Sequence, residues 1–306
     1  MKRTLNALAA AAALALAVAG CGSTNEAPPP AGPAESAAFP VTVGNLTLEK
    51  KPERIVSLSP TGTEMLFAID AGQQVIAVDD NSTFPANAPK TDLSAYQPNA
   101  EAIANHQPDL VVLSNDTDGI VAQLATLSIP TFVAPAATTL DDSYQQIRDL
   151  GKLTGHGAEA DALAQQMRED IAKLVADLPD RTTPLNYYYE LDPTFHSVTS
   201  KTFIGTLFTN AGLQNIADAT AAGIDYPQLS AEVIVQASPD LIFLADTKCC
   251  GQSAATVAAR AGWENITAVT TGGVVELDDD IASRWGPRVV DLQRAIVEAV
   301  AKAPVG

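Results

Sequence analysis

The residues able to do chemistry in this chain are few: three cysteines, three histidines, and a set of carboxylates that outnumbers the basic side chains 36 to 18. Cys249 and Cys250 are adjacent. Outside a reducing compartment such thiols oxidise, and three states stay open: a vicinal disulfide, two free thiols, or a bond between molecules. The vicinal bond is the expectation, as a rigid rim rather than a redox centre. His106, His156 and His196 show no metal-ligand spacing, and a direct metal receptor needs several such donors converging. No metal site and no cofactor are expected. Nor are catalytic residues. There is no G-x-S-x-G, P-loop or H-E-x-x-H, and Ser57 and Ser59 lack an evident base. The rival from another class is an exported α/β hydrolase. It needs a late histidine, and none follows His196.

Two carboxylates stand out by context. Residues 100–113 read AEAIANHQPDLVVL and residues 231–244 read AEVIVQASPDLIFL. Glu101 and Glu232, Pro108 and Pro239, and Asp109 and Asp240 are separated by one constant interval. Each copy predicts a short helix, a Pro-Asp break and an apolar strand, half of an alternating helix–strand unit. One copy is a weak signal. Two at a fixed spacing predict two similar lobes. Asn99 and Ser230 are the expected helix caps, so each glutamate falls in a first turn, where it also offsets the helix dipole.

The N-terminus sets the compartment. Lys2 and Arg3 precede a run of Leu, Ala and Val with one Asn over residues 5–19, which leads into Val18-Ala19-Gly20-Cys21. This predicts a secretory signal over residues 1–20, and the last four residues resemble a bacterial lipobox, in which Cys21 is lipidated. Two acyl chains hold a protein stably at a membrane surface. Residues 21–40 are Pro-, Ala- and Ser-rich and predict a flexible tether. The folded protein is thus expected outside the cytoplasm, anchored to the cell membrane by lipid. A net charge of −18 argues against nucleic acid as a partner.

The elements that position these residues follow in order. Residues 41–48 predict a small hairpin, and 54–58 a strand ending at Ser59, which caps a helix over about 62–70. A strand at 74–79, the first duplicated unit, a helix near 118–127 and a strand at 130–134 complete an N-terminal lobe, residues 41–141. Residues 142–183 predict linking helices broken at Gly155-His156-Gly157, the longest running from Ala158 to Leu178. The C-terminal lobe, residues 184–306, repeats the order: strand 185–190, helix 202–211, the second unit, a helix near 253–261, a strand at 273–277 and a final helix, 287–302. The fold class is α/β: two Rossmann-like lobes with parallel sheets joined by a single long helix, with a ligand cleft between the strand-end loops.

With these pieces in place, the chain resembles the helical-backbone class of ABC-transporter substrate-binding proteins, those for ferric siderophores, haem and cobalamin. The resemblance covers residues 41–303 and rests on RIVSLSPTGTE (54–64), the two A-E-x-I units, YPQLSAE (226–232) and DIASRWGPR (280–288). It is nearest the cobalamin branch, with Tyr96 and Tyr226 where that branch carries tryptophan. It implies capture of a bulky metal chelate, a ferric siderophore or cobalamin, and delivery to a permease with its ATPase subunits. It also implies a monomer, and Glu101 and Glu232 as the docking contacts to permease arginines.

The ligand-binding residues expected on the cleft are Pro60, Asn81, Tyr96, Phe195, Tyr226, Asp280, Arg284 and Trp285, and Phe84 lies beside Asn81 just past the strand at 74–79. The aromatics suit stacking on a flat chelate. For each the plainer alternative is partial core burial. Arg284 is expected as a cleft cation gripping carbonyls or carboxylates, with a salt bridge to Asp278, Asp279 or Asp280 as the alternative. His196, beside Phe195, is either an axial ligand to haem iron or a hydrogen-bonded loop residue.

Overall fold

The computed structural model describes residues 39–220 and 223–304. The signal peptide, Cys21 and nearly all of the tether lie outside the described residues. The chain opens with an antiparallel hairpin, β1 (Val41–Val43) and β2 (Leu46–Leu48). Next come β3 (Ile55–Leu58), α1 (Pro60–Ala68), β4 (Val75–Val78), α2 (Ala100–Ala104), β5 (Leu110–Leu113), α3 (Ile120–Thr126) and β6 (Thr131–Val133). Two helices follow, α4 (Leu140–Thr154) and α5 (Gly157–Ala176).

The second half holds β7 (Asn186–Glu190), α6 (Phe203–Asn210), β8 (Gln214–Asn215), α7 (Ala231–Ala237), β9 (Leu241–Leu244) and α8 (Thr247–Cys250). It ends with α9 (Ala254–Ala258), α10 (Thr267–Thr271), β10 (Val274–Glu276), α11 (Asp279–Ala282) and α12 (Val289–Lys302). Among the described residues no helix is long and apolar enough to cross a membrane.

The two sheets are copies in topology. One is ordered β4-β3-β5-β6 and the other β8-β7-β9-β10, every pairing parallel. β3, β5 and β9 are buried at every position, as parallel strands covered on both faces must be. β7 carries three buried tyrosines. Tyr187 stacks on Phe208 with centroids 4.2 Å apart, and Tyr188 turns to the other face against Trp263. Alternation along the strand sends them to two cores.

The duplicated Pro-Asp has a physical role. Asp109 Oδ2 accepts the Glu53 N–H at 3.0 Å, and its own N–H reaches the Arg54 carbonyl at 2.7 Å. Asp240 Oδ2 accepts the Asn186 N–H at 2.9 Å, and its N–H reaches the Asn186 carbonyl at 3.0 Å. In each lobe the aspartate therefore ties the start of one central strand to the start of its neighbour.

The link is a helix pair. Gly155, with φ 73°, ends α4 in the left-handed conformation that glycine accepts most easily. At 20 residues α5 is the longest described helix. It packs on both α4 and α12, so one helix contacts both halves.

Candidate functional site

Ligands of parallel α/β sheets bind beyond the carboxyl ends of the strands, which here include the loops after β3, β4, β7, β8, β9 and β10. In the first lobe Ser59 caps α1 by accepting the Gly62 N–H at 3.0 Å, and Pro60 occupies the first helical position. Asn81 is exposed after β4, its side chain bonded to Asp80. Phe84 is half-exposed, with the Arg288 guanidinium 4.5 Å above its ring. Tyr96 is 77% exposed and Tyr226 56% exposed. These two tyrosines sit in matching loops, each just ahead of a duplicated A-E-x-I helix.

Three other expected ligand residues are partly buried and make contacts within the protein. Trp285 donates its indole N–H to Gln146 Oε1 on α4 at 2.7 Å, while its carbonyl accepts the Ser143 hydroxyl at 2.5 Å. Its ring packs against the main core. Phe195 turns inward and stacks on buried Trp263 at 5.7 Å. Arg284, expected as a free cleft cation, is 10% exposed and spends its donors on protein: Glu64 Oε1 at 2.7 Å, Asp280 Oδ1 at 2.7 Å and the Asn81 carbonyl at 3.1 Å. Of the three aspartates weighed as its partners, Asp280 is the one it pairs with.

The residue that organises this region is Glu64. Its side chain is 1% exposed, and it takes Arg284 on Oε1 and Arg288 on both oxygens, at 2.5 and 2.9 Å. Asp280 continues the network: its other oxygen accepts Thr83 Oγ1 at 3.1 Å and Lys248 Nζ at 3.3 Å. The strand-end segment 280–288 of the second half is thereby clamped onto α1 and the β4 loop of the first. Nothing in the reading of the sequence singled out Glu64. The available signal was an acid in the otherwise uncharged helix PTGTEMLFA.

On the second lobe, Cys249 and Cys250 form a disulfide between neighbouring residues, and both are exposed. The short helix that carries them is capped from outside. Asp279 accepts the N–H groups of Thr247 at 2.9 Å, Lys248 at 3.0 Å and Cys249 at 2.8 Å. Burial raises the Asp279 carboxyl, but these bonds from the backbone outweigh it and hold it below its ordinary value. Lys248 Nζ bonds Asp278 at 2.7 Å, which holds the ammonium above its ordinary value.

Behind these loops lies a buried polar layer. Arg260 makes a bidentate pair with Glu190, at 2.5 and 2.7 Å. Asp246 is fully buried next to it, with neither carboxyl oxygen partnered. Burial first, then the charge of Glu190, push its pKa up to about 7.

Glu101 and Glu232 are exposed in the first turns of α2 and α7. The caps are as expected: Asn99 accepts the Ala102 N–H at 2.9 Å and Ser230 the Val233 N–H at 3.3 Å. Among the described residues neither glutamate takes part in an ion pair, and no three His, Cys, Asp or Glu side chains cluster as a metal ion requires.

Comparison with known proteins fits this geometry. The family model described as "Periplasmic binding protein" matches residues 55–281. A cobalamin-binding protein of Halobacterium salinarum is 32% identical over 280 residues, covering 86% of this chain and 75% of that one. An uncharacterized ABC transporter substrate-binding lipoprotein of Bacillus subtilis, YvrC, is 28% identical and covers 98% of both chains. Among solved structures, a periplasmic heme-binding protein from Roseiflexus superposes with TM-score 0.69 at 25% identity, covering 81% of this chain and 99% of that one. With two parallel sheets of one topology and a helical link between them, the chain belongs to the periplasmic binding protein family.

Proposed function

We propose that this protein is the solute-binding component of an ABC importer, anchored outside the cytoplasmic membrane through Cys21, and that its cargo is a corrinoid. The observation that carries this reading is the pair Tyr96 and Tyr226, large aromatic rings left exposed at matching loops of two duplicated lobes. Exposed aromatics in this arrangement suit the faces and edges of a flat chelate. Pro60, Asn81 and Phe84 line the same loop set on the first lobe. Asp280 and Arg284 join the two lobes beside these loops through Glu64. The corrinoid is preferred over a ferric siderophore because the cobalamin-binding relative is similar over most of this chain. Glu101 and Glu232 dock the two lobes to the permease, which works with its ATPase subunits. The protein binds and delivers; it is not an enzyme.

A haem cargo is the second reading, favoured by the likeness to the heme-binding structure. Calorimetric titration of the purified protein with cyanocobalamin, haemin and a panel of ferric siderophores separates them. Saturable binding of cyanocobalamin, weakened in Tyr96→Ala and Tyr226→Ala, is expected. Binding of haemin or a siderophore alone would replace the corrinoid assignment.

A further inference from the structure

The loop after β7 holds one imidazole in a fixed orientation. Asp192 Oδ2 lies 2.8 Å from His196 Nδ1. A carboxylate accepts and does not donate, so Nδ1 carries a proton and Nε2 is the nitrogen left to offer a lone pair. The other carboxyl oxygen accepts the Thr194 N–H at 2.8 Å and the Thr194 hydroxyl at 2.5 Å. Burial raises the Asp192 carboxyl, but the bonds from Thr194 and His196 outweigh it and hold it below its ordinary value.

Direction follows from the neighbour. Phe195 stacks inward on Trp263 and His196 turns outward, its side chain 42% exposed. An isolated bridge pairs His196 with Gln228, setting it against the segment that carries exposed Tyr226. Among the described residues Nε2 has no hydrogen-bond partner. A carboxylate fixing one ring nitrogen while the other stands open is how proteins orient a metal-ligating histidine.

Resting on the corrinoid reading above, we propose that His196 supplies Nε2 as an axial ligand to the cobalt of the bound corrinoid. The step is a ligand substitution: the bond from cobalt(III) to an exchangeable water breaks, the bond to Nε2 forms, and the water leaves. No electron is transferred, and the proton on Nδ1 stays with the Asp192 pair. Selectivity follows. A corrinoid whose exchangeable face carries water gains this bond, and one whose face is capped by cyanide does not.

The test is the visible absorption spectrum of the purified full-length protein mixed with aquocobalamin or with cyanocobalamin. The expected result is a change from the water-ligated to the imidazole-ligated spectrum with aquocobalamin alone, absent in His196→Ala and His196→Gln. Asp192→Asn, which alters only the positioning residue, is expected to keep the imidazole-ligated spectrum while weakening aquocobalamin binding about 10-fold or more. Thermal melts of each variant report whether it folds. Aquocobalamin bound with its water-ligated spectrum, or a shift that survives in a folded His196→Ala, overturns the ligation and leaves the corrinoid reading standing. Failure of both corrinoids to bind the native protein overturns that reading and the ligation with it.

Discussion

Glu64 and Arg284 are 220 residues apart in sequence and 2.7 Å apart in the fold, and they join the first lobe to the strand-end segment of the second. Arg288 shares the same carboxylate. Removing one partner of a buried ionic group leaves the others uncompensated, which costs about 3–5 kcal/mol. Glu64→Gln is expected to lose stability on that scale in urea unfolding, with Arg284→Met in the same chain recovering part of it. A loss of only a few tenths of a kcal/mol would mean that solvent already screens the cluster.

The Pro-Asp pins give a second expectation. Asp240 is held at 2.9 Å to a half-buried N–H, whereas the bond from Asp109 to Glu53 is exposed. Asp240→Ala is expected to cost about 1–3 kcal/mol and Asp109→Ala less. The two sites lie in different lobes and share no partner, so the double variant should be close to additive. Chemical denaturation of the three variants measures this. Equal losses would show that exposure does not grade the two bonds.

Docking is tested apart from binding. Glu101 and Glu232 form no ion pair among the described residues, so Glu101→Ala with Glu232→Ala is expected to keep ligand affinity and to lose only about 0.3–1 kcal/mol of stability per site. Uptake by whole cells carrying only this double variant is expected to be lost. Retained uptake removes the docking role, and lost binding reassigns the pair to the cargo site.

The repeat, the helix break at Gly155 and the caps at Ser59, Asn99 and Ser230 are legible in the sequence, because each is written in local periodicity and in residues that bond within one turn, whereas the two-residue edge strand β8 is too short to leave a pattern. The site was legible only in part. Tyr96 and Tyr226 are exposed as expected, while Phe195 and Trp285 are partly buried, packed on Trp263 and α4. Which way a loop side chain turns depends on a partner that is remote in sequence. Gln146 is 139 residues from Trp285, and no local pattern encodes it. Arg284 is paired rather than free: Asp280, four residues away, is legible as its partner, whereas Glu64, 220 residues away, is not.

Asp246 supplies the last expectation, a pH dependence. Its carboxyl is buried beside Glu190 with both oxygens unpartnered, and its pKa is pushed up to about 7 from an ordinary value near 3.8. Between those values the folded protein keeps a proton that the unfolded chain has lost, so stability from this group falls as pH rises through the window and is flat above it. Asp246→Asn removes the ionisation without changing the shape. The variant is expected to match the native protein near pH 4 and to exceed it at pH 8 by on the order of 1–3 kcal/mol. The quantity to follow is the difference in melting temperature between native and variant as a function of pH, since other carboxylates slope the opposite way and cancel in the subtraction. A difference that does not change with pH would place a hydrogen-bond donor on Asp246 that keeps it ionised throughout.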